Sequence, residues 1–252
     1  MEVRSLRDQV ILVTGGTSGI GAACVRALAA AGARVAFGGR RSGRLETLAS
    51  ELGADRVLPF RMDVRSPADS ARFAEAALRQ FGRLDGLVAN AGIGAYGSIL
   101  DHSDDTLATM IDTNVSGTVW PIRAVLPHLL ARGPGGDGGQ SPAGGDIVIV
   151  ASVAGLRGGG HEAVYAATKF AQVGLAGALD RELAPQGVRV TTICPAATST
   201  EFALGYGRTA DMPEMADWLD PDDVAGAVVT VLQQPRRMRT QLWSMWSMSE
   251  VG

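Results

Sequence analysis

Six short apolar runs rich in β-branched residues recur along the chain, at 10–13, 34–37, 57–60, 86–89, 147–151 and 188–193. Stretches of ten or more residues with helical patterning separate them, at 19–31, 42–52, 67–81, 104–131 and 163–184. Strands joined by crossover helices run parallel, because each helix returns the chain to the same end of the sheet. The strand candidates are apolar throughout rather than alternating, which requires cover on both faces. The pattern therefore predicts an α/β fold with one doubly wound parallel sheet and helices on both sides. No internal repeat or change in composition divides residues 1–252, so they are read as one domain. One stretch departs from the pattern: GPGGDGGQSPAGG, 133–145. Its composition predicts a flexible loop, and its place before the 147–151 run puts it at the amino edge of the sheet. Ligands of open α/β sheets bind at the opposite edge.

Composition narrows the function classes. The net charge is −3 and no basic block is present, which argues against nucleic acid as a partner. No run approaches the roughly 18 apolar residues of a membrane span. The first ten residues hold no apolar stretch of signal-peptide length. Two cysteines, Cys24 and Cys194, lie in apolar surroundings and cannot build a disulfide framework. These features predict a soluble cytoplasmic protein, and no metal ligands are assigned.

Directly after the first strand candidate comes Thr14-Gly15-Gly16-Thr17-Ser18-Gly19-Ile20-Gly21, which runs into an alanine-rich helix. Glycines between a strand and a helix allow a tight turn and let backbone N–H groups approach a pyrophosphate at the helix N-terminus. Gly15, Thr17, Ser18, Gly19, Ile20 and Gly21 are accordingly candidate dinucleotide contacts. The second strand ends in Gly39-Arg40-Arg41. A site that prefers NAD places a carboxylate there for the ribose 2′-hydroxyl. Guanidinium groups instead suit a 2′-phosphate. The turn predicts preference for NADP(H), with Arg40 the main contact and Arg41 beside it; the alternative is that both are solvated turn residues.

Ser152 follows the fifth strand candidate, and Tyr165 and Lys169 lie four residues apart in the helix beyond it. That spacing places them on one helix face. A neighbouring ammonium is expected to lower the phenol's pKa from its usual value near 10 toward the range useful for proton transfer. Ser152 can hydrogen-bond a substrate carbonyl oxygen. Lys169 is the sole lysine among 23 basic residues, in a chain that otherwise uses arginine wherever a fixed charge suffices.

Taken together the chain resembles the short-chain dehydrogenases/reductases, in the branch of single-domain chains of this length. The resemblance rests on Thr14–Gly21, Asp63-Val64, Asn90-Ala91-Gly92, Asn114, Ser152 and Tyr165-x3-Lys169, in that order and over essentially the whole length. It implies a Rossmann-like fold and reversible NADPH-dependent reduction of a ketone or aldehyde to an alcohol, most like the branch that acts on small ketones, aldehydes or 3-hydroxy acids. Tyr165 would be the general acid or base. Lys169 would tune Tyr165 and hold the nicotinamide ribose, Ser152 would orient the carbonyl, and Asn114 would support a water chain from Lys169. Asp63 and Val64 would border the adenine. Asn90, with Ala91 and Gly92, would shape the cofactor pocket.

The family's usual Pro-Gly after the sixth strand is Pro195-Ala196 here, which puts the loop geometry in doubt. Pro195, Ala196, Thr198 and Thr200 are counted as cofactor contacts. Residues 198–220, with Phe202, Tyr206, Met212, Met215 and Trp218, form the expected substrate lid. Ala154, His161, Phe202 and Tyr206 are candidate substrate contacts, although an exposed loop histidine is an equal reading of His161. Arg236, Arg237 and Arg239 are read as a solvated face. Trp243, Met245 and Trp246 suggest a final edge strand. Homodimers or homotetramers are expected, paired through the 104–131 and 163–184 helices and through that edge. The alternatives are a ketoreductase acting on a larger biosynthetic intermediate and a non-catalytic NADP-binding regulatory protein.

Overall fold

The computed structural model describes residues 3–53, 55–131 and 144–250. Seven strands form one parallel sheet: β1 (Val10–Thr14), β2 (Arg34–Gly39), β3 (Val57–Arg61), β4 (Gly86–Ala89), β5 (Asp146–Val150), β6 (Arg189–Pro195) and β7 (Leu242–Met245). Their spatial order is β3-β2-β1-β4-β5-β6-β7. The order of winding reverses between β1 and β4, parallel neighbours in which Val13 pairs with Val88 and Thr14 with Ala89. A crevice therefore opens beyond Thr14 and Ala89 at the carboxyl edge. The Rossmann-like doubly wound sheet follows from the strand patterning, since β1, β4, β5 and β6 are buried along their whole lengths.

Successive strand residues point to opposite faces. On one face Ile11, Val13, Val35, Phe37 and Val148 pack against α1 (Gly19–Ala30), α2 (Ser42–Leu52) and α7 (Pro221–Leu232). On the other, Val10, Leu12, Ala36, Leu87 and Ile147 pack against α3 (Pro67–Phe81), α5 (Gly117–Leu130) and α6 (Ala163–Leu183). Each face thus gains its own apolar core.

Three local features differ from the sequence expectation. The 104–131 helix is interrupted: α4 (Asp104–Ile111) passes through a π turn, Asp112–Ser116, before α5 begins. Pro121 and Pro127 lie inside α5 and remove two helix donors. Periodicity alone draws no bounds for α7, yet its start is written in Asp220-Pro221-Asp222-Asp223. The Asp220 and Asp223 side chains cap each other's backbone there, with proline in the first turn. β7 covers most of the expected edge strand and pairs parallel with β6. The loop at 133–145 falls, up to residue 143, outside the described residues.

The C-terminal arginines are a correction. Arg236 is not solvated: its Nη1 donates to Asp146 Oδ1 at 3.0 Å, and Nη2 donates to the Gly187 carbonyl. Arg239 reaches Asp180 at 3.4 Å, while Arg237 is exposed. Asp146, with a side chain only 3% exposed, also receives Arg189 at 2.6 Å and Arg4 at 2.8 Å. Arg189 further donates to the carbonyls of Gln234, Pro235 and Met238. One carboxylate thereby gathers the N-terminal segment, β5, β6 and the link from α7 to β7. Burial pushes the Asp146 pKa up, but Arg189, Arg4 and Arg236 outweigh burial and hold it below the ordinary carboxylate value.

The depressed pKa means that Asp146 contributes stability above its unfolded pKa, near 4, and loses it as pH falls through the lower folded value. Asp146→Asn leaves three arginines sharing no counter-charge. It should cost about 3–5 kcal/mol at neutral pH, read as a fall in melting temperature on the order of 10 °C. The difference from wild type should shrink below about pH 3. An unchanged melting temperature at pH 7 would remove this cluster from the fold's foundations.

Candidate active site

The carboxyl edges of β1, β4, β5 and β6 surround a cavity of about 1160 Å³. The catalytic, cofactor and substrate contacts expected from the sequence come together on its wall, with two exceptions, Asn114 and His161.

At one end lies the glycine turn. Gly15 and Gly19 have φ of +66° and +49°, a region that favours glycine. A Cβ on Gly21 would stand 2.2 Å from the Gly15 carbonyl oxygen and 2.5 Å from Asn90 Nδ2, so the helix can pass this close to the turn only without a side chain. Asn90 Nδ2 donates to the carbonyls of Thr14 and Gly15, at 3.1 and 3.3 Å. Thr14 Oγ1 accepts from the N–H groups of Asn90 and Ala91. The start of α1 has neither a capping side chain nor an acidic residue in its first turn. Its free N–H groups and dipole therefore favour an anion. These features fit the pyrophosphate of a dinucleotide.

The basic turn borders the same end. A Cβ on Gly39 would meet Thr17 Cγ2 at 2.6 Å, so a larger residue there would have to displace the Thr17 side chain. Arg41 donates to Ser18 Oγ at 2.7 Å and Thr17 Oγ1 at 3.3 Å. Glu201 accepts from both Arg41 and Arg44. These pairs are half exposed, so they orient side chains more than they stabilise the fold. Arg40 lines the cavity and is exposed. Asp63, whose pKa is lowered chiefly by its hydrogen bond from Arg65, faces the same space.

Ser152, Tyr165 and Lys169 stand at the other end. Ser152 Oγ accepts from the Ala154 N–H at 3.1 Å. Lys169 Nζ donates to the Val150 carbonyl at 3.2 Å and lies 5.6 Å from the centre of the Tyr165 ring. All three are buried. Burial changes the expected electrostatics. It lowers the Lys169 pKa to about 7 and raises that of Tyr165 far above its usual value. Tyr96 adds to the rise, while hydrogen bonding with Ser152 and the charge of Arg208 oppose it. The expected lowering of the phenol's pKa is not what the folded chain shows: burial is the largest influence on Tyr165 and disfavours the phenolate. Cys194, beside them, is likewise held as a thiol, pushed up to about 11 by burial.

Asn114 stands behind this floor, in the π turn, fully buried. Its amide donates to Ile93 O and Thr168 Oγ1 and accepts from Ile93 N. Its carbonyl accepts from Thr118 Oγ1 at 2.7 Å and Gln172 Nε2 at 2.9 Å. Each polar atom of its side chain therefore has a protein partner, and both lone pairs of its carbonyl are taken. Thr168 and Gln172 belong to α6, so this buried network sets the rotation of the helix that carries Tyr165 and Lys169.

His161 is a correction to the substrate contacts. It is exposed with φ +61°, and its carbonyl accepts from Gly97 N while its ring stays off the cavity wall. Residues 198–220 are closed by a bridge from Thr198 to Leu219 and border the cavity, Phe202, Tyr206, Met212 and Trp218 included; Met215 does not line it. Tyr96, Arg208, Trp246 and Glu250 also line the cavity and escaped the sequence reading. Glu250 accepts from the Ala197 N–H at 3.2 Å, which brings the C-terminal tail onto the wall. None of these four sits in a recognisable spacing, though an aromatic-rich stretch containing one arginine was a visible hint. Among the described residues no group of acidic, histidine or cysteine side chains could hold a metal ion, and no helix is long and apolar enough to cross a membrane.

The family model for short chain dehydrogenases matches residues 9–209. An uncharacterized oxidoreductase of Staphylococcus aureus strain N315 is 32% identical over 233 residues, covering 92% of this chain and 94% of that protein. Among solved structures, the closed form of a serine dehydrogenase complexed with NADP+ superposes with a TM-score of 0.86 at 30% identity, over 97% of each chain. A 3-ketoacyl-(acyl-carrier-protein) reductase from Brucella melitensis complexed with NADH does so at 0.84 and 32%, over 95% of this chain and 97% of that one.

The glycine geometry yields a paired test. Gly21→Ala must push α1 away from Gly15 and should cost roughly 1–3 kcal/mol in urea unfolding. Gly43→Ala, with open space around its Cβ, should gain about 0.4–1 kcal/mol by restricting the unfolded chain. Equal midpoints for the two variants would show that the α1 approach is not tight.

Proposed function

The chain belongs to the short-chain dehydrogenase/reductase family of oxidoreductases, and from that premise we propose that it reduces a ketone or aldehyde to an alcohol with NADPH. The observation that carries this reading is the gathering of Ser152, Tyr165 and Lys169, all buried, at the far end of a cavity that begins with a dinucleotide cradle. Reduction requires this phenol in its protonated form, and a neighbouring Lys169 ammonium favours release of that proton to the carbonyl oxygen.

When bound, a reduced nicotinamide supplies the hydride that the carbonyl carbon receives. The chain's own residues place and protonate the carbonyl. Ser152 Oγ hydrogen-bonds its oxygen, and Tyr165 donates to the same oxygen and transfers its proton as the C–H bond forms. C=O plus hydride plus proton gives the CH–OH product. The charge left on the Tyr165 oxygen is stabilised by the Lys169 ammonium. A compact ammonium does so within the space beneath Gly92, whose Cβ position lies 3.7 Å from Lys169 Nζ; a planar guanidinium would not fit the same geometry. Asn114 acts as a positioning residue. Its hydrogen bonds to Ile93, Thr168 and Gln172 hold α6 in register.

NADP preference rests on Arg40 and Arg41, with Gly39 in place of the acidic residue that would select NAD. The reading extends to a pair of chains joined along α5 and α6, where Val119, Leu126, Leu175 and Leu179 line an apolar groove. Two buried thiols accord with a reducing cytoplasm.

Tyr165→Phe should lower kcat by about 10²–10⁴-fold while the Kd for NADPH stays within twofold. Lys169→Arg keeps the charge but should cost on the order of a hundredfold. Near-wild-type turnover in either variant ends the mechanism. For the cofactor, kcat/KM should favour NADPH over NADH, and replacing Arg40 and Arg41 together by Ala should erode that ratio by roughly 10–100-fold. An enzyme that prefers NADH overturns the assignment.

A further inference from the structure

Arg208 sits in the wall of the same cavity as Tyr165 and Ser152. Its guanidinium carbon lies 4.6 Å from the Trp218 ring centre, 5.3 Å from Tyr96 and 5.7 Å from Phe202. Tyr96 and Phe202 in turn pack on the ring of Tyr165, with centroids 5.7 and 5.6 Å away. The chain goes to some length to hold it there. The turn before it has positive φ at Ala203, Gly205 and Gly207, and Tyr206 O accepts from Tyr96 N at 2.9 Å. A Cβ on Gly207 would strike Tyr96 at 2.6 Å. Positive φ at alanine is strained, and such strain persists where the surroundings hold a side chain in place.

Aromatic rings cover the faces of a guanidinium and leave its five N–H edges unanswered. Here Nη1 makes a 3.5 Å contact to the Thr198 carbonyl, and the Tyr96 phenol is the other polar neighbour. No carboxylate forms an ion pair with Arg208 among the described residues. Glu162, whose charge reaches Tyr96 and Tyr165, accepts from Gly159 N at 2.7 Å. The cavity thus presents a pre-oriented, unneutralised fork close to the proton donor.

We propose that Arg208 is the anion-binding residue of the substrate pocket, so that the reducible carbonyl belongs to a short oxo acid whose carboxylate docks on this fork. The proposal rests on the reductase reading above and specifies its substrate class. A carboxylate matches one guanidinium in charge and bidentate geometry, whereas a phosphoryl dianion would leave excess charge among three rings.

Two measurements test it separately from the reductase reading. In the first, the full chain is titrated calorimetrically with malonate and succinate and with the corresponding diamides. The diacids should bind at least about tenfold more tightly, and Arg208→Met should remove that difference. Arg208→Lys, which keeps a cation over the rings but loses the fork, should fall between and stands in if the Met variant does not fold. Equal binding of diacids and diamides, or unchanged diacid binding in Arg208→Met, overturns the proposal. So does a loss of NADPH affinity in that variant as large as the loss for diacids, because it would assign Arg208 to the cofactor.

In the second, acetoacetate, levulinate and succinic semialdehyde are each compared with the methyl ester, with NADPH saturating. The acid-to-ester ratio of kcat/KM should exceed ten in wild type and approach one in Arg208→Met, mainly through KM. Turnover with a wild-type ratio near one refutes the Arg208 assignment and leaves the reductase intact. Arg208-dependent diacid binding without turnover of any carbonyl does the reverse.

Discussion

The hydrogen bonds from Asn90 and to Thr14 that span the gap between β1 and β4 are the interaction on which the rest of the site depends. Parallel strands bring all their carboxyl ends to one edge, and reversal of strand order opens a crevice there. An open crevice would leave the Thr14 and Gly15 carbonyls without partners. The Asn90 amide supplies them and fixes the glycine turn to β4, which in turn sets how α1 leaves the sheet. The close passage of Gly21 over Gly15 is possible only because that turn does not move.

A second polar network plays the corresponding part at the other end. Asn114, Thr118, Thr168 and Gln172 join the π turn to α6 in an otherwise apolar layer. Buried polar groups that are paired specify one arrangement, because any slip leaves them unpartnered. Rotation of α6 by one residue would break three of these bonds and carry Tyr165 and Lys169 off the cavity floor. The dryness of that floor then decides the charge states. It disfavours the phenolate and the ammonium alike, raising the Tyr165 pKa and lowering that of Lys169 to about 7. What looks in the sequence like a simple ion–phenol pair is, in the folded chain, a pair of groups both governed first by burial.

Much of this was legible beforehand where a rule of local geometry applied. Apolar runs without alternation predicted the two-sided sheet, and the Thr14–Gly21 spacing predicted the turn that the positive φ values at Gly15 and Gly19 display. Tyr165 and Lys169 share a face because helix pitch requires it. Local rules failed where partners are distant in the chain. Arg236 read as a solvated charge because nothing nearby in sequence announces Asp146, ninety residues earlier. The break in the 104–131 helix at Asn114 has no compositional mark, since it serves contacts to Ile93 and α6. His161 lay close to Tyr165 in sequence and away from the cavity in space.

The sequence by itself therefore determined the doubly wound sheet, the dinucleotide turn, the basic residues after β2 and the pairing of Tyr165 with Lys169. Each depends on periodicity or on spacings shorter than one helix or turn. Tertiary structure alone decided which charges are buried, which proton is held, and that Arg208 is stacked among three rings beside Tyr165. Burial and long-range electrostatics depend on which surfaces meet, and that is settled only when segments far apart in the chain are packed together.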